Sequence, residues 1–470
     1  MTNFLYYSGV TTGNETLAAN ELGYIGRDAT VQGSISGNAD NMDIRILGAL
    51  VTITNTAAVG VVGNNISVFV GATGTVNSLS FSTTNGIGVE IDVQGGGAVG
   101  QIFNAGEISG RNLGIFAYAQ AATDTQSIRN TGTIFGQTGG ILTAGLGQIN
   151  IVNSGLISGL EYGITNFTFS YNFPANSVSI VNSGTIEGST AAIRTGSLAD
   201  TVVNTGQIRG DVLMGDAIDS FVNRAGTVDG DIHLGDGNDR YVGTGANVTG
   251  AVYGDAGADT FFGNQNAVDV FVGGADVDTL DFRLGGQVTL ALDLSFAQNG
   301  AALGDTYFEM ENVFGSDVGN DVIRGNGAAN ALFGWGGNDS LDGAGGVDVL
   351  RGGVGIDTLT GGTGNDTFRF SALNECGDVI TDFGNNVSSN DRFQITAAAF
   401  GGGLVAGALA ASQFITRTDN LAQDADDRFI FNTTDRTLWF DSNGNAAGGL
   451  TMVADLQAGA VVTAADILLI

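Results

Sequence analysis

Between residues 325 and 369 the chain repeats itself every nine residues. The five segments read GNGAANALF, GWGGNDSLD, GAGGVDVLR, GGVGIDTLT and GGTGNDTFR. Each has at least two Gly among its first four positions, Asp or Asn at the sixth and a large apolar residue at the eighth. Gly permits backbone conformations with positive φ, and a single apolar residue per segment can fill only a thin core. The pattern therefore predicts stacked tight turns and short strands over this stretch.

Two consecutive segments are predicted to make one turn, so that alternate segments stack. Stacking places Asp339 over Asp357 on one side and Asp348 over Asp366 on the other. Carboxylate and carbonyl oxygens in a flexible loop suit Ca²⁺ better than the smaller, octahedral Mg²⁺, and stacked carboxylates repel one another without a cation between them. We therefore expect these four Asp to bind Ca²⁺. Asn330 takes the Asp position at the head of the second side, where we expect a weaker site.

Acidic turns of a related kind precede the nine-residue repeats. They read MGDAIDSFV, LGDGNDRYV, GDAGADTFF and GGADVDTLD, and their last acids are Asp219, Asp239, Asp259 and Asp278. An apolar residue follows each of these acids by two positions. The near-constant spacing predicts one row of carboxylates along one side of a repeating fold, with further cation sites at Asp239, Asp259 and Asp278.

A different repeat, Asn-small-Gly-x-Ile-x-Gly, fills the first half of the chain. Its copies begin at Asn104, Asn130, Asn153, Asn182 and Asn204. Apolar residues recur two positions before and four after each Asn, and eleven after the first four. Fixed offsets inside copies of variable length are typical of a solenoid. We predict a parallel β-helix that starts near residue 30, is regular from about residue 90, and has Asn side chains hydrogen-bonded from rung to rung.

The longest gap between copies, residues 165–179, contains four aromatic residues. They are Phe167, Phe169, Tyr171 and Phe173. Two interpretations stay open: an aromatic cap folded onto the β-helix, or a contact site for a partner.

Composition excludes several classes of function. The chain has 48 acidic residues against 16 Arg and no Lys, a net charge of −32, so nucleic acid is not an expected partner. Residues 201–470 hold 36 of the acids and 11 of the Arg, a net charge of −25. One cysteine, Cys376, excludes an intrachain disulfide, and no apolar run is long enough for a membrane span. The start of the chain has neither the basic nor the apolar part of a secretory signal peptide.

The second half, about residues 211–470, resembles the hemolysin-type calcium-binding (RTX) family, and most of all the β-roll and tail that end serralysin-type metalloproteases. The resemblance rests on the nine-residue repeats, ENVFGSDVGNDVIRGN (311–326), DVITDF (378–383) and the terminal segment 437–470. It implies several bound Ca²⁺ ions, with Asp321 among the ligands and Asp378 and Asp382 closing the last sites. It also implies export by the type I secretion machinery, directed by the C-terminal tail, to an extracellular or cell-surface location.

The residues give little support to catalysis. A zinc protease needs H-E-x-x-H, whereas this chain has one histidine, His233, which we interpret as an ordinary strand residue; G-x-S-x-G is also absent. Parallel β-helices do occur in polysaccharide lyases and epimerases, and the nearest acid–base cluster is Asp40, Asp43 and Arg45. We favour a non-catalytic role and keep an extracellular carbohydrate-active enzyme, with its site on the β-helix, as the alternative.

The predicted architecture is all-β: a right-handed parallel β-helix that continues as a solenoid into a calcium-binding parallel β-roll. We expect the β-helix over residues 1–210, acidic transitional rungs over 211–312, the RTX β-roll over 313–383, and a β-rich cap with the secretion signal over 384–470. The expected function is adhesion, matrix or surface-layer formation by a secreted bacterial protein. Its expected partners besides calcium are a cell surface, a polysaccharide or further copies of itself.

Overall fold

The computed structural model describes residues 2–470 except 33, 39, 48, 53–57, 65, 79–85, 167–175, 264–268 and 387–388. Within these ranges nearly all regular structure is β, and the α-helix Ala397–Phe400 has only four residues. No helix in the described part of the chain is long and apolar enough to cross a membrane. The chain divides into two compact units, residues 1–259 with 269–276 (unit 1) and residues 260–268 with 277–470 (unit 2). The all-β prediction is confirmed.

Unit 1 is a parallel β-helix whose rungs contribute strands to three columns. The first column contains Thr2–Thr12, Leu22–Gln32, Asp43–Ile46, Ile66–Val70, Val99–Asn104, Thr125–Asn130, Gln148–Asn153, Ser177–Asn182, Thr201–Asn204, Ser220–Arg224 and Arg240–Thr244. The second contains Ala49–Thr52, Thr75–Ser78, Glu107–Gly110, Thr133–Gly136, Leu156–Gly159, Thr185–Glu187, Gln207–Arg209, Thr227–Asp229 and Asn247–Val248. The third contains Glu15–Leu17, Ile35–Asn38, Val59–Gly63, Ile87–Val93, Leu113–Ala119, Gly139–Gly145, Tyr162–Thr165, Ala191–Arg194, Val212–Leu213, Ile232–Asp236, Ala251–Ala256 and Val270–Ala275.

The repeat offsets of the first half correspond to the core of unit 1. The apolar residues two before and four after each repeat Asn, and those eleven after the first four, are all buried. In-register pairing stacks equivalent residues, as with Ile128 on Ile151 and Ile134 on Ile157. Parallel pairing already joins Thr2–Thr12 to Leu22–Gln32, so the expected start near residue 30 is wrong. The first rungs lack the Asn repeat, which is why the sequence pattern did not reveal them.

The repeat Asn side chains form a continuous internal ladder. The Nδ2 of each donates to the Oδ1 of the next along Asn104, Asn130, Asn153 and Asn182, at 2.8 Å per step, and Asn182 donates to Asn204 at 2.8 Å. Each of these side chains is fully buried. Because each amide also bonds backbone carbonyls of its corner, as Asn153 does with Thr185 at 3.0 Å, the polar interior of the corner is satisfied. The rung-to-rung bonding predicted from sequence is confirmed.

Unit 2 has two facing sets of parallel strands. One set contains Thr260–Phe262, Thr279–Asp281, Asn312–Phe314, Ala331–Gly336, Val349–Val354, Thr367–Phe370, Arg392–Ile395 and Ile467–Leu469, with Gly407–Ala408 antiparallel at its end. The other contains Val288–Ala291, Val322–Arg324, Ser340–Asp342, Thr358–Thr360, Asp378–Ile380 and Leu450–Leu456, followed by the antiparallel or edge strands Thr437–Asp441, Phe429–Asn432 and Phe414–Arg417, with Asn299–Gly300 at the opposite edge. Remaining elements are the strands Thr306–Phe308, Asn385–Asn386 and Ser389–Asn390 and the 3-10 helices Leu373–Glu375, Ala411–Gln413 and Ala464–Asp466.

Successive nine-residue segments alternate between these two sets. Leu332 stacks on Leu350 in one set, and Leu341 stacks on Leu359 in the other. All the eighth-position residues, Leu332, Leu341, Leu350, Leu359 and Phe368, are buried. The predicted stacking of alternate segments into a thin β-roll is therefore what the structure shows.

The C-terminal segment completes both strand sets. Ile467–Leu469 pairs in parallel with Arg392–Ile395, and Leu450–Leu456 pairs in parallel with Asp378–Ile380. Asp466 accepts hydrogen bonds from the N–H and Oγ1 of Thr463 at 2.8 and 2.9 Å, which fixes the turn before the last strand. The acid-tipped apolar end is thus a folded strand of the β-rich cap. The four-part division of the chain expected from sequence remains a prediction.

Candidate calcium-binding turns

Two rows of side chains run along unit 2. Row one lies at the turns before the strands of the second set, and row two lies at the turns before the strands of the first set. Row one contains Asp321, Asp339, Asp357 and Asp378, and row two contains Asn330, Asp348, Asp366 and Asp391. Within each row the backbone N–H of one residue donates to the Oδ1 of the next, at 2.7, 2.7 and 3.0 Å in row one and 2.8, 2.9 and 2.9 Å in row two. The structure therefore stacks Asp339 on Asp357 and Asp348 on Asp366, as the nine-residue period predicts.

The second carboxylate oxygen of the central Asp residues has no such bond. The Oδ2 atoms of Asp339, Asp348, Asp357 and Asp366 are buried and find no hydrogen-bond partner among the described residues. These side chains are at most 3% exposed. Leaving a buried carboxylate oxygen without a donor is costly, so each of these atoms has the geometry of a ligand whose cation completes the site.

Burial and crowding of like charges shift these carboxyl groups strongly. Desolvation is the main cause that raises the pKa of Asp339 and Asp348 to about 7, and the stacked partners Asp357 and Asp366 add to it. The same causes raise the pKa of Asp366 to about 6 and that of Asp378 to about 8. A bound cation would favour the charged form of each group.

The first Gly of each segment makes room for the carboxylate. A Cβ placed on Gly334 would collide with Oδ2 of Asp339, and one on Gly343 would collide with Oδ2 of Asp348. The same positions would collide with the carbonyl oxygens of Gly352 and Gly361, which belong to the next stacked segments. A carboxylate oxygen of one turn and a carbonyl oxygen of the next therefore meet over a single Gly.

Left-handed backbone at the second and fourth positions shapes these turns. The second positions include Trp335 at φ 73° and Ala344 at φ 70°, although neither residue is Gly. The fourth positions of the four Asp-containing segments are Gly337, Gly346, Gly355 and Gly364, with φ between 125° and 153°. The carbonyl of Gly337 lies so close to Gly355 that a Cβ there would overlap it. Because non-Gly residues rarely adopt this conformation, Trp335 and Ala344 show that the turn geometry is imposed by the stack.

The donor set fits Ca²⁺. Among the described residues no group of three or more His, Cys, Asp or Glu side chains could by itself hold a metal ion. A site in the rows must therefore combine two carboxylates with backbone carbonyls. An all-oxygen set of carboxylates and carbonyls is what Ca²⁺ prefers, and the buried unpartnered Oδ2 atoms supply its anionic part.

Three of the predicted ligands lie near the ends of the rows, and two of them, Asp321 and Asp382, differ from the central ones. Oδ1 of Asp321 accepts the N–H of Val288 at 2.7 Å, and its Oδ2 accepts the N–H of Ser316 at 2.6 Å. Asp382 accepts the N–H groups of Gly361 and Gly362 at 2.8 and 2.7 Å. Both carboxylates are engaged by backbone donors: Asp321 begins row one, and Asp382 closes the turn that starts at Gly361. Asp378, the last member of row one, accepts the N–H of Asp357 with its Oδ1 as the central Asp residues accept theirs.

Row two extends further than the sequence indicated. Asp391 joins Asp366 across an insertion, and its Oδ2 accepts the N–H of Gly384 at 2.7 Å. The segment NDRF (390–393) repeats NDTF (365–368), which is the signal that could have identified it. Asn330 is not the head of the row.

Upstream of Asn330 the row continues with acidic residues. The Nδ2 of Asn330 donates to the carbonyl of Glu311 at 3.0 Å, and the N–H of Asp278 donates to the Glu311 carboxylate at 2.9 Å. Glu311 thus lies in the row between Asp278 and Asn330, where a nine-residue segment would have Asp or Asn at its sixth position. The sequence did not reveal it because Glu replaces Asp and a long insertion separates it from Asp278.

Unit 1 contains the other predicted ligands, in a row of its own. The N–H of Asp219 donates to Oδ1 of Asp239, and the N–H of Asp239 donates to Oδ1 of Asp259, each at 2.7 Å. Burial raises the pKa of Asp219 to about 8 and that of Asp259 to about 7, each with a contribution from stacked carboxylates. Three members of the predicted row, Asp219, Asp239 and Asp259, therefore form a row in this unit, whereas the fourth, Asp278, belongs to unit 2 and precedes Glu311.

The candidate catalytic residues are engaged by neighbours. His233 Nδ1 lies 3.0 Å from the Asp255 carboxylate, and its ring stacks on Tyr253 with centroids 4.5 Å apart. Arg45 forms an ion pair with Asp43 at 3.0 Å. His233 is thus a satisfied strand residue, as predicted. The aromatic residues Phe167, Phe169, Tyr171 and Phe173 lie outside the described residues.

Comparison with known proteins identifies the repeats. The family model of the RTX calcium-binding nonapeptide repeat, in four copies, matches residues 316–350 and 342–372. No curated protein matches the chain. Among solved structures, the chain is similar to the AlgE6R3 subunit of the Azotobacter vinelandii mannuronan C5-epimerase, at 30% identity over 32% of this chain and 77% of that chain, with a TM-score of 0.23. The nine-residue segments are RTX repeats, and the cations that they bind are Ca²⁺ ions.

Proposed function

We propose that this RTX repeat protein is a secreted or surface-associated bacterial protein with a non-catalytic role in adhesion, matrix or surface-layer formation. Its β-roll would complete folding when it binds Ca²⁺ after export through the type I machinery. The observation that supports this most directly is the set of buried Oδ2 atoms without partners at Asp339, Asp348, Asp357 and Asp366. They mark positions where the fold is incomplete without a cation.

Calcium binding and folding are expected to be one process. Residues 201–470 carry a net charge of −25, so the bare chain repels itself. Ordering Gly-rich turns is also entropically costly, and each nine-residue segment buries a single large side chain in return. Bound Ca²⁺ removes the repulsion and adds binding free energy to the folded state. Extracellular calcium modules have dissociation constants of roughly 10⁻⁴–10⁻³ M, which would leave the roll unfolded in a calcium-poor cytosol.

The export part of the proposal concerns residues 440–470. Deleting them should abolish appearance of the protein in the medium of cells that carry a type I exporter. Since Ile467 and Leu469 are buried in the cap, deletion also removes a strand of the fold. The matched control is therefore Ile467→Asp with Leu469→Asp, which keeps the length but disrupts the strand. Unchanged secretion of the deletion would contradict the export signal.

The adhesion or matrix part is tested by self-association and surface binding of the calcium-loaded protein. Sedimentation velocity with and without Ca²⁺ should show calcium-dependent oligomers. Alternatively, a separate binding assay should show that the calcium-loaded protein binds to cells of the source bacterium. Monomers that bind neither each other nor cells in saturating Ca²⁺ would contradict this role. Replacing Phe167, Phe169, Tyr171 and Phe173 by Ser tests whether that aromatic segment makes the contact, with circular dichroism of the calcium-loaded variant as the check that it still folds.

A second candidate function, saccharide binding on the β-helix, is favoured by one surface cavity in unit 1. The cavity has a volume of about 310 Å³ and is lined by Asp43, Arg45, Ser67, Val68, Phe69, Gln101 and Phe103. Phe69 and Phe103 stack with ring centroids 5.1 Å apart, and Ser67 Oγ donates to Asp43 at 2.8 Å. A few polar groups around an apolar surface are typical of small-ligand sites, and they suit a saccharide, which carries hydroxyl groups on an apolar ring.

This candidate is tested with an oligosaccharide panel. Phe103→Ala and Gln101→Ala should weaken binding, whereas Val152→Ala is the matched control because it lies on the same outward row and is 42% exposed. Assaying the same mixtures for new reducing or unsaturated ends separates binding from the enzymatic alternative. Absence of binding to any oligosaccharide would exclude this candidate and leave the calcium function untouched.

A further inference from the structure

We propose that unit 1 binds calcium at its own turns, 214–219, 234–239 and 254–259, outside the residues that the RTX family model matches. The proposal rests on the calcium function proposed above and adds sites to it. These turns lie more than fifty residues before the first matched residue, 316, and they recur every 20 residues along the β-helix instead of every 18.

The backbone of these turns has the same left-handed positions as the RTX repeats. Counted back from the last Asp of each turn, the second and fourth positions are Gly215 and Ala217, Gly235 and Gly237, and Asp255 and Gly257, and all six have φ between 72° and 155°. Ala217 and Asp255 adopt this conformation although they carry a Cβ. A Cβ on Gly237 would overlap the carbonyl of Ala217, just as one on Gly355 would overlap that of Gly337. The turns of unit 1 thus bring backbone carbonyl oxygens together in the same way as the turns of the β-roll.

Two carboxylates of the row point an unsatisfied oxygen into these turns. Asp219 is 1% exposed and Asp239 is 2% exposed. Their Oδ1 atoms accept the N–H groups of Asp200 and Asp219, each at 2.7 Å, while their Oδ2 atoms are buried without a partner among the described residues. This is the arrangement found at Asp339 and Asp357. An isolated acidic cluster would expose its charges to water, whereas these oxygens are enclosed.

Asp200 begins the row as Asp321 begins row one. Its Oδ1 accepts the N–H of Val178 at 2.6 Å, and its Oδ2 accepts the N–H of Gly196 at 3.2 Å. Both oxygens are therefore engaged by backbone donors. We assign Asp200 the role of a cap, and we place the sites in the gaps between Asp219 and Asp239 and between Asp239 and Asp259.

The row in unit 1 has no carboxylate counterpart at the Asn corner of its rungs. There the Asn ladder continues, with Nδ2 of Asn204 donating to Oδ1 of Asn223 at 3.0 Å. The β-roll, in contrast, has carboxylates on both sides. Calcium in unit 1 would therefore stabilise one edge of rungs that the Asn ladder already stabilises at another corner. Loss of these calcium sites should therefore leave the β-helix folded.

The test is the number of Ca²⁺ ions bound per full-length chain, measured by equilibrium dialysis with ⁴⁵Ca²⁺. The variant Asp219→Asn with Asp239→Asn should lose the sites in both gaps, because Asn keeps the Oδ1 acceptor of the ladder and removes the charge. Asp229→Asn is the matched control, since Asp229 is exposed in the same unit and bonds Thr249 Oγ1 at 3.1 Å. Asp348→Asn with Asp366→Asn reports on the β-roll. Circular dichroism in saturating Ca²⁺ checks folding, and the single variants replace the double one if it loses β structure.

The outcomes separate the two proposals. Fewer bound ions in the unit 1 variant, with the Asp229→Asn control unchanged, supports calcium sites in the β-helix. An unchanged ion number in the unit 1 variant, together with a loss in the β-roll variant, overturns this inference and leaves the proposed calcium function standing. An unchanged number in both overturns both.

Discussion

At the scale of the residue, the central Asp of each row is the unit of calcium binding. Asp348→Ala or Asp366→Ala removes a buried carboxylate from row two, so the calcium concentration at the midpoint of folding should rise. Circular dichroism during a Ca²⁺ titration measures this midpoint. Asp427 lies outside the rows, but it is 3% exposed and accepts the N–H of Gln423 at 2.7 Å, so replacing it would itself disturb the fold. The exposed Asp229→Ala is the better control, and an equal shift in it would contradict a specific role for row two.

The first Gly of a segment provides a second residue-scale test. Gly352→Ala should weaken calcium binding because its Cβ would collide with Oδ2 of Asp357, and we expect a loss of about 1–3 kcal/mol of stability in Ca²⁺. Gly327→Ala is the matched control, since no atom lies within 4 Å of its Cβ. Thermal unfolding at fixed Ca²⁺ compares the two. A control as destabilised as Gly352→Ala would contradict the collision with Asp357 as the reason for Gly at this position, because Gly→Ala alone lowers the entropy of the unfolded chain.

At the scale of the element, the acidic rows make the calcium-free protein sensitive to pH. Burial raises the pKa of Asp339 and Asp348 to about 7 and of Asp378 to about 8, well above the usual range of an Asp carboxyl. Protonation therefore stabilises the folded state; this contribution is complete below pH 4 and is lost as the pH rises through 7 to 8. After calcium removal, β structure should be greater at pH 5.5 than at pH 8. Saturating Ca²⁺ should abolish the difference, and a calcium-free protein that gains structure toward pH 8 would contradict the assignment.

The Asn ladder is the calcium-independent element. Asn153 is fully buried and donates to Asn182 at 2.8 Å and to the carbonyl of Thr185 at 3.0 Å, while it accepts from Asn130. Asn153→Ala leaves buried partners unsatisfied at about 1–3 kcal/mol each, so the Tm of unit 1 should fall at any calcium concentration. The neighbouring Val152→Ala, 42% exposed, should change it little. Rescue of Asn153→Ala by Ca²⁺ would contradict this division of labour.

At the scale of the whole molecule, the two kinds of ladder predict unequal folding. Hydrogen exchange of the full chain after calcium removal should find residues 87–166 and 176–209 protected, because Ile stacking and the Asn ladder do not need a cation. Residues 313–383 should exchange rapidly until Ca²⁺ is added. Uniform protection across the chain without calcium would show that the rows are stable on their own and would overturn coupled folding of the β-roll.

The printed residues predict those features of the fold that recur at fixed offsets along the chain. Fixed offsets around each repeat Asn identify equivalent residues in rungs of different length, which is why the Asn ladder follows from the printed residues. The constant nine-residue period does the same for the buried Leu at the eighth positions and for the stacking of Asp348 on Asp366. The sequence does not show which carboxylates have both oxygens hydrogen-bonded and which keep one oxygen for a cation, because this depends on contacts between residues far apart in the chain. Asp321 accepts the backbone N–H of Val288, which lies outside the period, and Asp382, itself outside the period, accepts that of Gly361. Glu311 and Asp391 reach row two across insertions. Insertions change the separation along the chain but not in space, so periodicity could not show these contacts.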